Sequence, residues 1–465
     1  MNKVFLAGSV IGLVMSLSAC VSQKNENSQP AKNWQSLIGQ DNLSGWAQVN
    51  GDATYELLNG GVIQGTAVTN SPNSFLCSEQ LYSDFILEYD FKLDKTLNSG
   101  VQFRSHHYAN TNNGKVFGYQ LEIDPTDRGW TGGVYEEGVR GWLHPVMDEN
   151  QAGKKAYQHR QWNTIRLEAI GNHIKAWVNG IPTVNLQDDR TAQGRFCLQV
   201  HDIGDNKALE GATVQWKNMR ILTDDLSQNS RTSPLPLKNN DNKLTHSEIQ
   251  RGWQLLFDGE TSDGWRGAKL TEFPATGWEI KDGILTIHES GGGESSSAGD
   301  IVTKEMFDDF MLSVDFKITE GANSGIKYYV DTELNKGAGS SIGLEYQILD
   351  DLRHADAKKG NHPGSRSVSS LYDLIKADRN KQPKAIGQWN TATIYSKNNH
   401  VEHWLNGQKV LEYTRKSPEY RQLVAASKYA TWPRFGELDK GHILLQDHGN
   451  TVHFKNVKIK NFTKE

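Results

Sequence analysis

Apolar and polar residues alternate along many short stretches of this chain. In "FILEYDFKL", which begins at Phe85, apolar residues occupy almost every second position, and "TIRLEAI" and "HIKAWV" repeat the pattern on either side of Gly171. A period of two places successive side chains on opposite faces of a strand. The pattern therefore predicts an all-β chain.

Turn signals separate these stretches. Asn179-Gly180 and Asn406-Gly407 are dipeptides that accept a positive φ at both central positions of a tight turn, and each lies between two predicted strands. Many short strands joined in this way, with no helical period between them, predict a two-sheet sandwich or jelly roll. The segment "SPEYRQLVAASKYA", near the C-terminal end, is the best helix candidate and is expected to be a surface insertion.

The chain contains one long passage twice. "QWNTIRLEAIGNHIKAWVNG", from Gln161, and "QWNTATIYSKNNHVEHWLNG", from Gln388, have the same residue at 9 of 20 positions. Further pairs follow in the same order, among them "DFKLDKTLNSGVQFRS" with "DFKITEGANSGIKYYV", "GRFCLQVHD" with "GHILLQDHG", and "VQWKNMRIL" with "VHFKNVKIK". A repeat of this length is the size of a domain. We therefore predict a first copy over residues 33–222, a linker over 223–251, which is polar and contains two prolines, and a second copy over 252–465.

The N-terminus resembles a bacterial lipoprotein signal. Lys3 precedes the apolar run "VFLAGSVIGLVMSL", and "LSAC" ends it with small residues before Cys20. The resemblance implies a signal peptide over residues 1–19, lipidation of Cys20 and a polar tether over 20–32. The residue after the lipidated cysteine is Val21 and not aspartate, which favours sorting of the lipoprotein to the outer membrane. The expected location is therefore the cell envelope, with the protein facing the periplasm or the cell surface. The alternative is an ordinary secretory signal.

Composition excludes some classes of protein. The formal net charge of -5 arises from 50 basic and 55 acidic residues that are spread along the chain, so nothing indicates a nucleic-acid partner. After the signal, no segment has the 18 or so continuous apolar residues of a membrane span. The expected contact with a membrane is therefore through the lipid anchor alone, and the oligomeric state stays open.

Two cysteines remain, Cys77 and Cys197. An envelope location permits a disulfide, but both residues lie in apolar, strand-like surroundings. The sequence slightly favours two buried thiols over one disulfide and does not decide between them.

Seven motifs of the second copy occur in an order that resembles the 3-keto-disaccharide hydrolase domain family. They are "WEIKDGIL", "DFKITEGANSGI", "GLEYQILDD", "GQWNTATI", "HWLNG", "LLQDHG" and "VHFKNVKI", and the first copy resembles a divergent member. The resemblance implies two tandem concanavalin-like jelly-roll β-sandwiches and cleavage of sugars that are oxidised at carbon 3. Such a reaction requires a base near carbon 2, a donor or metal that stabilises an enolate, and an acid for the leaving oxygen.

Candidate site residues lie on two strands of the second copy. Glu345 and Gln347 are two apart in "GLEYQILDD", and Gln446 and His448 are two apart in "LLQDHG", so each pair is predicted to share a face. Glu345 and His448 are the predicted acid–base residues, and Gln347 and Gln446 are predicted to bind substrate. Asp350, at the end of the strand, could orient one of these four side chains.

The first copy has a corresponding set in which the carboxylate has moved. Its predicted acid–base residues are Glu122 and His201, and its predicted substrate-binding residues are Arg104, Gln120, Asp124 and Gln199. The second copy has Glu345 and then Gln347 on its strand, whereas the first copy has Gln120 and then Glu122. The carboxylate therefore lies two residues further along in the first copy, and the two copies need not catalyse the same reaction.

Other interpretations of these residues stay open. The strand residues could be merely solvated, Arg104 could form a structural ion pair with Glu122, and the "NSG" at Asn98 and Asn323 could be a turn. His354 and His362 match no tight metal motif, so zinc is the less favoured interpretation, and calcium or another divalent ion bound through the acidic loop stays open. No motif in the sequence specifies a cofactor.

Three functions fit the sequence. The first is a lipid-anchored enzyme that cleaves 3-keto-glycosides, and the second is a non-catalytic carbohydrate-binding protein. The third combines a catalytic second copy with a glycan-binding first copy. The sequence does not specify the sugar, the linkage or the anomer.

Overall fold

A computed structural model describes residues 33–39, 42–108, 114–291, 293, 295, 298–334, 341–432 and 434–462 of the protein. The signal, the tether and Cys20 lie outside the described residues. Almost all regular structure is antiparallel β-sheet.

The first copy consists of fifteen strands and one short helix among the described residues. They are β1 Gln35–Ser36, β2 Trp46–Val49, β3 Thr54–Leu58, β4 Val62–Thr66, β5 Ser74–Ser78, β6 Phe85–Leu93, β7 Ser99–His107, β8 Val116–Ile123, β9 Val134–Glu137, β10 Gly141–His144, α1 Gln151–Lys154, β11 Asn163–Ile170, β12 His173–Val178, β13 Ile181–Gln187, β14 Arg195–Val200 and β15 Thr213–Leu222.

The predicted linker contains regular structure. Its elements are α2 Leu226–Asn229, β16 Lys238–Asn239 and α3 His246–Gln250.

The second copy consists of thirteen described strands and one helix, with short 3-10 turns at Ala355–Lys358 and Lys428–Thr431. Its elements are β17 Trp253–Leu255, β18 Trp265–Gly267, β19 Trp278–Lys281, β20 Ile284–Ile287, β21 Ile301–Thr303, β22 Phe310–Ile318, β23 Asn323–Asp331, β24 Ile342–Leu349, β25 Asn390–Lys397, β26 His400–Leu405, β27 Gln408–Thr414, α4 Pro418–Ala425, β28 His442–Leu445 and β29 Val452–Asn461.

Each copy is a sandwich of two sheets, and the strand order repeats. The larger sheet of the first copy runs β16-β13-β12-β11-β6-β15-β4-β3, and that of the second runs β27-β26-β25-β22-β29-β20-β19. The smaller sheets run β10-β9-β8-β7-β14-β5-β2 and β24-β23-β28-β21-β18. This order confirms the prediction of an all-β chain with two tandem concanavalin-like jelly-roll β-sandwiches.

The alternating stretches and the turn dipeptides have the predicted structure. Phe85, Leu87, Tyr89, Phe91 and Leu93 of β6 are all buried in the core of the first copy. Both residues of Asn179-Gly180 and of Asn406-Gly407 have positive φ, as a tight turn between β12 and β13 and between β26 and β27 requires.

The predicted helix is confirmed as α4. Ser417 accepts a hydrogen bond from the Tyr420 backbone N–H, and Pro418 takes the first helical position, where its missing N–H has no cost. The Tyr420 side chain is buried and donates its hydroxyl to the Phe435 carbonyl oxygen.

The segment between the copies is fixed to both of them. β16 pairs in parallel with β13, which adds it to a sheet of the first copy. Lys455 of the second copy forms ion pairs with Asp189 of the first copy at 2.7 Å and with Asp241 of the segment at 3.0 Å. The segment predicted as a polar linker therefore contains short regular elements, because β16 pairs with β13 and a capping box stabilises the start of α3.

None of the helices among the described residues combines the length and the apolar composition that a membrane-spanning helix requires.

Cys77 and Cys197 are joined in a disulfide, so the slight preference for two thiols is wrong. The two residues are direct partners in the antiparallel pairing of β5 with β14, and their Cα atoms are 4.0 Å apart. The equivalent partners in the second copy are Val302 and Leu444, which pack in an apolar cluster. The disulfide thus occupies a position that apolar contact fills in the other copy.

Candidate functional site

The smaller sheet of each copy has one face on the core and one face directed away from it, which we call the outer face. In the second copy Ile326, Tyr328, Leu344 and Tyr346 of β23 and β24 belong to the core. The residues between them point the other way, because side chains alternate along a strand. The outer face of the second copy is therefore formed by Gly325, Lys327, Glu345 and Gln347, with Gln446 at the end of β28.

Lys327 and Glu345 are direct partners across the β23–β24 ladder. The Lys327 ammonium lies 3.6 Å from the Asp300 carboxylate and 3.4 Å from the Ser341 carbonyl oxygen. Lys327 and Glu345 both line a cavity of about 220 Å³, to which Lys428 also contributes. A carboxylate and an ammonium group thus meet at one opening.

Gly325 sits beneath the Glu345 carboxylate. A Cβ atom added at Gly325 would lie 2.3 Å from Glu345 Oε1, so any side chain at this position would displace the carboxylate. Gly100 of the first copy has the same relation to Gln120, at 2.5 Å. The two "NSG" motifs are therefore not turns, since Ser99–His107 and Asn323–Asp331 are strands and each glycine leaves room for the side chain of the neighbouring strand.

A second polar group continues along the same face. Gln347 donates to Asn323 Oδ1 at 3.0 Å, and Asn323 Nδ2 lies 3.2 Å from His448 Nε2. The His354 ring meets the His448 ring edge to face at 5.9 Å, and burial followed by His448 lowers the pKa of His354. Within the described residues Gln347 Oε1 is buried and has no hydrogen-bond partner. This group has an imidazole and an amide acceptor available for a ligand.

Asp350 anchors the loop that follows β24. Its carboxylate accepts from the backbone N–H groups of Gly321, Leu352 and Arg353, and these bonds hold its pKa below the usual value despite burial. The loop then brings Tyr372 beside β24. The Tyr372 hydroxyl group donates a hydrogen bond to the Asp356 carboxylate and lies close enough to Glu345 for the two groups to interact electrostatically. Asp350 therefore contributes to the site indirectly, because it holds the loop that follows β24.

The outer face of the first copy is a chain of neutral amides that ends on one carboxyl group. Asn98 and Gln120 donate to Glu122 at 2.6 and 2.8 Å, and Gln102 donates to Gln120 at 2.7 Å. Ser105 in turn donates to Gln102 at 2.7 Å. Burial is the largest influence on Glu122 and raises its pKa to about 7.

The two faces differ at equivalent positions of the ladder. Gln102 faces Gln120 where Lys327 faces Glu345, and Glu122 stands opposite Gly100 where Gln347 stands opposite Gly325. The first copy therefore lacks an ammonium group at this position. Within the described residues neither amide atom of the buried Gln199 has a hydrogen-bond partner, and His201 is half-exposed, with Nδ1 2.6 Å from the Asp202 carbonyl oxygen.

Arg104 does not belong to the outer face. Its guanidinium is buried and donates to the carbonyl oxygens of Ser83, Ala169 and Gly171 and to the Asp84 carboxylate. Neither a bridge to Glu122 nor a substrate contact fits this position. The backbone explains the difference, because Arg104 has a φ of 47° within a bulge that interrupts the alternation of β7.

Asp124 also has a local role. It accepts from the Thr126 backbone N–H at 3.0 Å and from Arg128 at 2.9 Å. Asp124 thereby orders the turn after β8, as Asp350 does after β24.

Lys327 and Asp300 are site residues that no sequence motif indicates, and the sequence indicates Asn323 only as part of a possible turn. Lys327 follows Gly325 by two positions in "NSGIK", and this spacing indicates that both residues lie on the same face of the strand. Its contact with Glu345 depends on the register between two strands, which the spacing does not predict.

One group of three potential metal ligands occurs among the described residues, and it lies on the larger sheet. It consists of His400, Glu402 and Glu412, and Lys409 is within 3.4 Å of both carboxylates. His362, by contrast, contacts the Leu374 carbonyl oxygen at 3.3 Å. Those predicted site residues that the structure describes thus form no cluster of this kind with one another.

Comparison with known proteins gives a family match in each copy. A model of the 3-keto-alpha-glucoside-1,2-lyase-like domain matches residues 33–222 and 252–460. A 3-keto-disaccharide hydrolase of Bacteroides thetaiotaomicron is 36% identical over 230 residues, which cover 45% of this chain and 78% of that protein.

Solved structures also resemble parts of the chain. A candidate glycosyl hydrolase of Parabacteroides distasonis is 30% identical and covers 48% of this chain and 99% of its own, with a TM-score of 0.42. A carbohydrate-binding module of Bacillus subtilis is 20% identical and covers 38% of this chain and 96% of its own, with a TM-score of 0.26.

Proposed function

Because this chain belongs to the 3-keto-alpha-glucoside-1,2-lyase-like family, and is thus a carbohydrate-active, glycosyl hydrolase-like protein, we propose that it cleaves 3-keto-glycosides. We assign the reaction to the outer face of the second copy. The observation that carries this assignment is the meeting of Lys327 and Glu345 at one cavity.

The chemistry follows from the ketone at carbon 3 of the sugar. A base removes the proton on carbon 2, and the electrons of that bond form an enolate with the carbon 3 oxygen. Collapse of the enolate forms a double bond between carbons 1 and 2 while the bond from carbon 1 to the glycosidic oxygen breaks. The leaving oxygen takes a proton, and water then adds a hydroxyl group to carbon 1 and a proton to carbon 2.

Glu345 and Lys327 suit the first half of this reaction. The Glu345 carboxylate is the base for the proton on carbon 2, and the Lys327 ammonium lies on the next strand, where it can stabilise the negative charge that develops on the carbon 3 oxygen. Asp300 and the Ser341 carbonyl oxygen hold the ammonium in place.

His448 suits the second half. It lies at the end of the Gln347–Asn323 chain, so a sugar ring that spans the face would have Glu345 on one side and the imidazole on the other. We assign His448 to protonation of the leaving oxygen and Gln347 Oε1 to a sugar hydroxyl group.

The first copy has a different assignment. Its outer face has amides where the second copy has Lys327 and Glu345, so it lacks the charged group that would stabilise an enolate. We therefore favour glycan binding for this copy, with Gln199 and Glu122 as the hydrogen-bonding groups. The alternative, catalysis by Glu122 and His201, makes a different prediction in the experiment below.

We further propose that the protein is anchored in the cell envelope through lipid on Cys20. The support is the "LSAC" motif and its upstream apolar run.

The test compares matched substitutions in the two copies. Turnover of a 3-keto-disaccharide by Glu345→Gln, Lys327→Met and His448→Ala should each fall by about 10²–10⁴, since each removes a positioned acid, base or charge. The controls Glu122→Gln, Gln102→Met and His201→Ala should keep the wild-type rate. Loss of turnover in the first-copy variants alone would place catalysis there, and wild-type rates in every variant would refute both assignments.

A further inference from the structure

A cavity of about 450 Å³ lies between the two copies, away from both outer faces. One wall is the larger sheet of the second copy, where β22, β25 and β29 contribute Ser313, Thr393 and Lys458. The opposite wall is the turn between β9 and β10 of the first copy, and α3 contributes Glu248. The volume is in the range of sites that hold small ligands.

Positive charge exceeds negative charge in the lining. The cationic side chains are Arg140, Arg190, Arg251, Lys384, Lys458 and Lys460, and the acidic ones are Glu136 and Glu248. Glu136 and Asp188 together offset Arg140 and Arg190, and Glu248 offsets Lys458. The excess therefore comes from the remaining three cations, Arg251, Lys384 and Lys460.

Two of these cations have no carboxylate within 4 Å in the described part of the chain. Lys384 donates to the Arg190 carbonyl oxygen at 2.7 Å, and Arg251 donates to the carbonyl oxygens of Ser247 and Val139. Burial lowers the pKa of Lys384 to about 8, and the negative charges of Asp315, Asp189 and Asp188 offset this loss of solvation only in part. Such a group gains most from an anion that enters the cavity.

The other part of the lining is aromatic. Trp253, Trp404, Tyr395 and Phe462 come from the second copy and Phe117 from the first. The Trp404 ring is fixed because its indole N–H donates to Glu402 at 2.8 Å. Flat apolar surfaces beside cations suit a ligand with an apolar ring face and an acidic group.

We propose that this cavity binds a glycan unit that bears a carboxylate or a sulfate group. The acidic group lies between Lys384 and Arg251, and a sugar ring lies against the tryptophan rings. A simple anion would use the cations alone, and a neutral sugar would use the rings alone. The proposal requires both, and it does not depend on catalysis at the outer face of the second copy.

The test is calorimetric titration of the full chain with glucuronic acid, glucose 6-sulfate, glucose and sodium sulfate. At least one acidic sugar should bind about tenfold or more tightly than both glucose and inorganic sulfate, and the preferred sugar separates the carboxylate from the sulfate source. Lys384→Met and Arg251→Ala should each weaken that binding by about tenfold or more, the loss expected for one charge-assisted hydrogen bond. The control Lys281→Met, on the exposed end of β19, should bind as wild type does.

The same titrations can overturn the proposal. Equal binding of glucose and the acidic sugars, equal binding of inorganic sulfate, or no binding of either acidic sugar would each do so. Unchanged affinity in both folded variants would also overturn it. If Lys384→Met fails to fold by circular dichroism, the exposed Arg251 carries the test alone.

Discussion

Replacement of Glu122 by glutamine should remove a pH dependence from the stability of the first copy. Glu122 is buried on the outer face and accepts hydrogen bonds from Asn98 and Gln120. Burial opposes its charged form more than these bonds favour it, so its pKa rises from 4.5 to about 7. The folded chain therefore holds this proton more tightly than the unfolded chain does.

The sign and size of the effect follow from this difference. Between the two pKa values the folded state binds more protons, so the free energy of unfolding falls as the pH rises. The contribution is complete below pH 4.5, declines between pH 4.5 and 7, and is lost above pH 7. At about 1.4 kcal/mol for each pH unit between the two pKa values, the loss approaches about 3 kcal/mol.

Urea denaturation of wild type and Glu122→Gln at several pH values between 5 and 8 measures this effect. Subtraction of the two curves removes most contributions of other titrating groups. We expect the wild type to lose about 2 to 3 kcal/mol more than the variant between pH 5 and 8. The glutamine can cost a constant amount, since its amide faces the amide of Asn98, but that cost does not change with pH. Parallel curves for the two proteins would refute a protonated Glu122 in the neutral amide chain.

Three further predictions concern other parts of the chain. Gly325→Ala should lower turnover of a 3-keto-disaccharide by about 10²-fold in a steady-state assay, because the new Cβ atom displaces the Glu345 carboxylate. The matched variant Gly100→Ala should leave turnover unchanged, and an equal loss in both variants would contradict the assignment to the second copy. The Cys77–Cys197 disulfide joins residues 120 positions apart, and its reduction should destabilise the first copy by about 2–5 kcal/mol in urea denaturation. The double variant Cys77→Ala, Cys197→Ala should show no effect of the reductant, and detection of two free thiols in the native protein would contradict the disulfide. Cys20→Ala should abolish labelling with palmitate in cells, and equal labelling of wild type and variant would exclude lipidation at this residue.

Much of the fold follows from local sequence signals. The period of two in β6 places Phe85 to Leu93 correctly, because one face of each sheet must be buried and a strand has no other way to bury it. Asn-Gly predicts its two turns since few other residues tolerate positive φ at both positions. The same period correctly places Glu345 and Gln347 together on one face.

The limits of local signals are visible at particular residues. Alternation predicts that Arg104 shares the face of Gln102, but the bulge in β7 turns it toward Asp84 and the carbonyl oxygens behind the sheet. Tyr329 occupies the equivalent bulge of β23, with a φ of 50°, and packs against Arg415. A single residue with positive φ thus reverses the alternation, and no turn signal marks it in the sequence.

Pairing between distant strands is the second limit. Lys327 meets Glu345, and Cys77 meets Cys197, only because of the register of their ladders. Register depends on the burial of whole faces and on the turns at both ends, so it is a property of the folded sheet. The charged pair of the candidate site is therefore beyond sequence reasoning.

The central claim, that the outer face of the second copy removes a proton from carbon 2, is tested most directly with a 3-keto-disaccharide that carries deuterium at that carbon. In a single turnover in ordinary water, we expect slower cleavage than with the unlabelled substrate and a product in which hydrogen from water replaces deuterium. Glu345→Gln should abolish the exchange, while Glu122→Gln should retain it. Cleavage at the same rate for both substrates, with all of the deuterium kept in the product, would contradict the proposed mechanism.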